Sequence, residues 1–351
     1  MYALIMAGGR GARFWPRSRR AFPKQCVAIG GSESLIRQTV DRLGPMVPPE
    51  RILIITGPDM VEAISAQLPD LPPENILVEP QGRNTAPCVG WGAVEVARRG
   101  GREAVMMVLP ADHVIAQPDV LRASLKGAAE AATETGALVT LGITPTHPET
   151  GYGYLELGEA AGVWAGQTLR VVDRFREKPD EATAQTYLEG GQHLWNAGMF
   201  VFTAGAILEA FRAHLPRSAD ALDRIAAAPA ALAELWGELE ATSVDFGIME
   251  RADNILTVPS DPGWSDVGSW SAAGALLPAV DGGRGLAALH ISIDATDNIT
   301  YAPGKVVALI GVSGLAVVDS PDAILVMDSR RAQDVRAVVK VLEDAGQERF
   351  T

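Results

Sequence analysis

Five short and mostly apolar runs, at residues 4–7, 52–56, 76–79, 105–109 and 137–143, end in turn-forming residues, with helical spacing between them at 34–43, 59–67, 86–98 and 120–136. Continuous apolar strands have no polar face to turn toward water, so they must be covered on both sides. The pattern therefore predicts an α/β chain with a doubly wound, Rossmann-like, mostly parallel sheet. In such sheets ligands bind beyond the carboxyl ends of the strands. Three distinctive segments fall there: Gly8-Gly9-Arg10-Gly11, Glu79-Pro80-Gln81-Gly82-Arg83-Asn84 and Pro110-Ala111-Asp112-His113. Their common position predicts one site built from all three.

Beyond residue 150 the pattern is mixed. Strand-like sequence opens at Gly151 and runs through 171–176, another strand is expected at 195–202, and helices at 204–214 and 219–239. Residues 281–285 (Asp-Gly-Gly-Arg-Gly) read as a linker. Short strands at 298–301, 306–311, 315–319 and 323–327 follow with Gly, Pro and Asp between them, the rhythm of a small β-solenoid or meander, and a helix at 330–345 closes the chain. The expected organisation is a large α/β unit over residues 1–280 and a β-rich, β-helix-like segment over 285–351. The apolar faces of that segment are too few for an independent core, so they should pack on the first unit or on another subunit, and a homodimer is expected.

A net charge of −13 argues against nucleic acid as a partner, because a phosphate backbone needs a broad basic face. Against that background Arg10, Arg13, Arg17, Arg19, Arg20 and Lys24 stand together with no acidic residue among them. A local cationic loop on an anionic protein suits a small polyanion. Its glycines, Gly8, Gly9 and Gly11 after Ala7, let the backbone approach phosphate oxygens and present N–H groups to them. Phe14 stands where a dinucleotide fingerprint needs its third glycine, and no Gly-Lys-Ser/Thr follows, so neither that motif nor a Walker A loop is present. Mg²⁺ needs only one or two carboxylates beside phosphate oxygens and water. Asp112, just past a strand, and Asp266, in Gly263-Trp264-Ser265-Asp266-Val267-Gly268, are the candidates. Cys26 and Cys88 are the only cysteines and should be free thiols. The opening residues read as a buried first strand, not a leader, and no apolar run approaches the ~20 residues of a membrane span, so a soluble cytoplasmic protein is expected.

Gly8-Gly9-Arg10-Gly11-Ala12-Arg13-Phe14-Trp15-Pro16 with Pro23-Lys24-Gln25 resembles the signature of the sugar-nucleotide pyrophosphorylases, in the variant found in mannose-1-phosphate guanylyltransferases. The resemblance continues through Glu79–Pro87, Leu109–His113, Thr150–Tyr154, Phe175-Arg176-Glu177-Lys178-Pro179, Trp195–Phe200, Ser243–Glu250 and Trp264–Trp270, spread in order over residues 1–270. It implies a nucleotidyltransferase that joins GTP to mannose 1-phosphate with Mg²⁺. Arg13 and Lys24 would be the phosphate-binding, catalytic pair, and Asp112 and Asp266 the metal ligands. Lys178 would hold the sugar phosphate, with Gly153, Glu177 and Asn196 facing the sugar. Ala7, Gly8, Gly9 and Gly11 would serve the nucleotide, Glu79 would face the base, and Asn84 and Thr85 would offer backbone N–H groups at a helix start. Two departures are mild: Phe14 where Leu is usual, expected as a packing change, and Phe246-Gly247 where Tyr-Ala is commoner. Five scattered histidines (113, 147, 193, 214 and 290) form no His/Glu metal set, so no isomerase activity of the cupin type is expected. The rival readings are a non-catalytic regulatory relative, the same chemistry with another base or hexose, and a dinucleotide-dependent oxidoreductase.

Overall fold

The computed structural model describes residues 1–351. Its main sheet has nine strands in the order Ile76–Val78, Ile52–Thr56, Tyr2–Met6, Val105–Pro110, His193–Thr203, Leu138–Ile143, Ile255–Ser260, Gln167–Glu177 and Gly153–Trp164. Tyr2–Met6 pairs in parallel with both Ile52–Thr56 and Val105–Pro110, while His193–Thr203 enters antiparallel between Val105–Pro110 and Leu138–Ile143. Alternate residues of the first strand enter opposite cores: Leu4 joins the layer of helices Thr85–Gly100, Ala204–His214 and Pro216–Ala227, and Ala3 and Ile5 the layer of Leu35–Leu43, Val61–Gln67 and Pro118–Thr135. Burial on both faces is the reason the strands read as continuous apolar runs. The doubly wound expectation holds.

Three expectations are corrected. The helix expected over 219–239 ends at Ala227, because Pro229 has no N–H to continue it, and only short helical turns follow, Leu232–Leu235 flanked by the 3-10 turns Pro229–Ala231 and Trp236–Glu238. The expected linker at 281–285 is instead a tight turn that joins Ala279–Val280 to an eleven-residue strand, Gly283–Ile293. The strands expected at 298–301 and 306–311 are one strand, Asn298–Ile310, which carries an irregularity opposite Ala287–Leu289.

The five-stranded C-terminal sheet rests on the first unit through a third core. Phe14, Trp15, Val27, Ile29 and Trp270 pack there with Tyr301, Val318, Leu325 and Val335. Polar contacts pin the same junction: Tyr301 Oη donates to Ala28 O (2.9 Å), Trp15 Nε1 to Phe350 O (2.7 Å) and Trp270 Nε1 to Trp15 O (3.0 Å). The cationic loop is thus held from behind by the C-terminal segment, which lies against the first unit as expected. Phe14 is part of this core, 5.0 Å from the Trp270 ring, so its replacement of leucine is a packing change.

Candidate active site

The glycine loop leaves the first strand at its carboxyl end and turns back at Gly11, whose φ of +66° suits glycine. A Cβ there would collide with the Cβ of Lys24, so the same glycine lets the lysine pass beneath the loop. Lys24 is 5% exposed. Its ammonium donates to Asp112 Oδ2 and to the main-chain oxygen of Asp266, both at 2.8 Å, and lies 5.3 Å from the Phe14 ring centroid. One buried cation therefore joins the ends of three segments far apart in sequence. Burial works to raise the Asp112 pKa, but the attraction of Lys24 and His113 outweighs it and holds the carboxyl below its usual range.

Asp266 Oδ1 accepts from the Tyr152 hydroxyl (2.7 Å) and from the Gly268 N–H (3.1 Å). Burial, then the neighbouring Asp266 charge, keeps Tyr152 protonated. Around this carboxylate lies an aromatic wall. Tyr152 stands edge-on to Trp195 (5.2 Å) and to Trp264 (5.1 Å), and the Trp264 indole N–H donates to His113 Nδ1 (3.0 Å). Burial pushes His113 down to about 4, so it is a neutral acceptor at pH 7. The Arg13 guanidinium lies over this edge and donates to Gln333 Oε1 of the C-terminal segment (3.2 Å). Burial, then Arg336, lowers its pKa from the ordinary arginine value.

A cavity of about 220 Å³ opens beside Asp266, lined among others by Gly153, Glu177, Asn196, Asp245 and Thr85. Gly153 and Glu177 face each other across an antiparallel ladder, and the Lys178 Nζ is 2.6 Å from Glu177 Oε1. Lys178 has φ +48°, an uncommon conformation for a residue with a Cβ. Such a backbone persists only where its surroundings over-determine it. The structure thus brings Gly153, Glu177, Lys178 and Asn196 to one side of Asp266, and Arg13, Lys24 and Asp112 to the other.

Glu79 continues the strand Ile76–Val78, is 4% exposed, and turns toward the glycine loop: a Cβ on Gly8 would lie 3.1 Å from its Oε1. Its Oε2 accepts from the Cys88 thiol (3.2 Å), and burial raises its pKa. At the next helix the expectation is corrected for Thr85, whose N–H is taken by the Asn84 side chain (2.9 Å); the Ala86 N–H beyond it is held by Thr242 O (3.0 Å), so these two groups are not free for a ligand. The Thr85 hydroxyl accepts from the Val244 N–H (2.9 Å) instead. Cys26 and Cys88 are free and buried, as expected.

Sequence reasoning passed over two participants. Tyr152 was visible only as part of a Gly-Tyr-Gly-Tyr strand opening, and its partner Asp266 is 114 residues away. Asp245 lay within a recognised segment, but nothing local marks it as a cavity residue.

A buried lysine that binds the Asp112 carboxylate and the Asp266 main chain at the carboxyl edge of a doubly wound sheet, under a cationic glycine loop, is an arrangement suited to small phosphate-bearing anions. Residues 2–278 match the model of the nucleotidyl transferase family, to which the chain belongs, and residues 289–342 match the MannoseP isomerase/GMP-like beta-helix domain. Several of its relatives are named mannose-1-phosphate guanylyltransferase. The Escherichia coli K12 protein of that name is 37% identical over 99% of this chain and 74% of its own, and the xanthan biosynthesis protein XanB of Xanthomonas campestris strain B100 is 38% identical with the same coverage. The crystal structure described as mannose-1-phosphate geranyltransferase from Thermus thermophilus superposes with a TM-score of 0.89 at 38% identity, over 97% of this chain and 99% of that one. The chain is a nucleotidyltransferase, and the oxidoreductase reading falls away.

Proposed function

We propose that the protein transfers GMP from GTP to mannose 1-phosphate, giving GDP-mannose and pyrophosphate. The observation that carries this reading is the Lys24 bridge between Asp112 and Asp266, set between the glycine loop and the cavity of Gly153, Glu177 and Asn196. A phosphate oxygen of the sugar phosphate attacks the α-phosphorus in line, and the bond from that phosphorus to the bridging oxygen of the leaving pyrophosphate breaks. No protein nucleophile is needed; the work is alignment and neutralisation. Ala7, Gly8, Gly9 and Gly11 line the phosphates, Arg13 and Lys24 neutralise them, Lys178 holds the sugar phosphate, and Glu177 and Asn196 take sugar hydroxyls.

Two carboxylates suit Mg²⁺, which takes its remaining ligands from phosphate and water. Asp112 and Asp266 would hold it, each with one oxygen uncommitted to any other residue. When bound, it would supply positive charge to the phosphate oxygens. The reading is tested by pyrophosphate release across a panel of nucleoside triphosphates and hexose 1-phosphates, with Mg²⁺ or chelator. Silence with GTP and mannose 1-phosphate removes the substrate assignment; full activity in chelator removes the metal.

Glu79 is the proposed reader of guanine, because a carboxylate accepts from both N1–H and the exocyclic amine. Replacing it with Gln should lower the preference for GTP over ATP, measured as a ratio of kcat/KM, by roughly 10- to 100-fold. An unchanged ratio would assign base choice elsewhere.

We also propose a homodimer formed through the C-terminal sheet, working in the cytoplasm. Its outer face pairs Leu289 with Val306 and Ile293 with Ile310, all four more than half exposed, with Ile291 between them. An apolar stripe of this kind on a soluble surface marks a contact site. No helix of the protein is long and apolar enough to cross a membrane. Ile293→Asp should convert a sedimenting dimer to monomer with its circular dichroism intact; a wild-type protein that sediments as a monomer at micromolar concentration refutes the dimer.

A further inference from the structure

One carboxyl of the sugar-side cavity has no part in the reading above. Asp245 starts a turn of π-helix, Asp245–Met249, a widened turn that is often found at functional sites. It lines the cavity together with Gly153, Glu177 and Asn196. The Asn196 amide is fixed at its oxygen, which accepts from the Thr140 hydroxyl (2.8 Å) and the Gly198 N–H (3.2 Å). Its nitrogen is thereby aimed at Asp245 Oδ1, 3.0 Å away. The other oxygen of Asp245 bonds to no residue. The same segment is tied to both halves of the site, since the Val244 N–H donates to Thr85 Oγ1 and Glu250 Oε1 accepts from the Glu177 N–H (2.7 Å).

We propose that Asp245 is a further sugar-binding residue, which holds the Asn196 amide through one oxygen and offers the other to a hexose hydroxyl. The proposal rests on the sugar-phosphate reading of this cavity. The group's charge state suits such a task. Burial, then the Glu177 carboxylate, pushes Asp245 up to about 7, against the opposing pull of Lys178 and the Asn196 hydrogen bond. Asp266, His113 and Tyr152 stand on the same cavity wall. Near neutrality the carboxyl thus passes between an acceptor and a donor–acceptor, and a sugar hydroxyl meets both forms differently.

The test is steady-state kinetics of Asp245→Ala and Asp245→Asn, with whichever hexose 1-phosphate the wild-type enzyme turns over. Ala should raise KM for the sugar phosphate on the order of 10-fold or more, with kcat and KM for GTP within about 3-fold. Asn should restore much of that affinity. Between pH 6 and 8, the ratio of wild-type to Asn-variant KM for the sugar phosphate should change, while the titration of the substrate's own phosphate cancels in that ratio. An unaltered KM for the sugar phosphate, or equal rises in both KM values with no rescue by Asn, overturns the proposal. A wrong choice of hexose shows itself separately, in the wild-type enzyme.

Discussion

Lys24→Met is expected to lower kcat by about two to three orders of magnitude, the scale seen when a preorganised donor to a developing charge is removed. The effect has two sources. The ammonium is the only cation in contact with Asp112, and it also holds the Asp266 main chain, so its loss frees both proposed metal ligands from their common anchor. It also leaves the Asp112 carboxylate, whose side chain is 37% exposed, without its compensating charge, a loss that solvent screening keeps below the cost of breaking a fully buried pair. The variant should therefore melt at lower temperature as well as turn over slowly. Lys24→Arg should not rescue it, because the channel under Gly11 is already filled by the lysine stem and a guanidinium fork needs more room. Near-normal kcat in a folded Lys24→Met protein would show that the bridge is structural only.

Asp266→Asn is the second large effect: a loss of about 10³-fold in kcat, eased by raising the Mg²⁺ concentration, because one of the two carboxylates proposed to hold the ion becomes a weaker, neutral ligand. Asparagine keeps the shape and can still accept from the Tyr152 hydroxyl and the Gly268 N–H, so the melting temperature should change little. Paired with Asp112→Asn in a double-mutant cycle, the two losses should fall well short of adding, since both act on one ion. Strict additivity in log kcat, or a loss that Mg²⁺ does not ease, would argue that the aspartates serve separate tasks.

The site was legible in the sequence to the extent that its groups lie at strand ends. Gly8, Glu79 and Asp112 each follow an apolar run, and the two-sided burial that makes those runs continuous also places their carboxyl ends on one edge. The third core was foreseeable only as a need, since nothing local says that Tyr301 will meet Ala28 across 273 residues. Glycines misled the eye around Gly283 and Gly304, where each marks a turn or an irregularity within pairing strands instead of an end to pairing. The engaged N–H group at Ala86 was unreadable for a similar reason. Its partner Thr242 arrives from a segment beyond the helix break at Pro229.

The aromatic wall around Asp266 has an optical consequence. Trp195 and Trp264 are within 6.5 Å of each other, both lean on Tyr152, and Trp264 shares a hydrogen bond with His113. Trp264 lines the cavity, so its emission answers to the charge and water content there, with Trp195 behind Tyr152, whereas Trp236 and Trp270 are sealed in dry cores. The protein thus carries a fluorescent gauge beside the cavity proposed for its sugar phosphate, and the filling of that space can be followed without a label or a turnover.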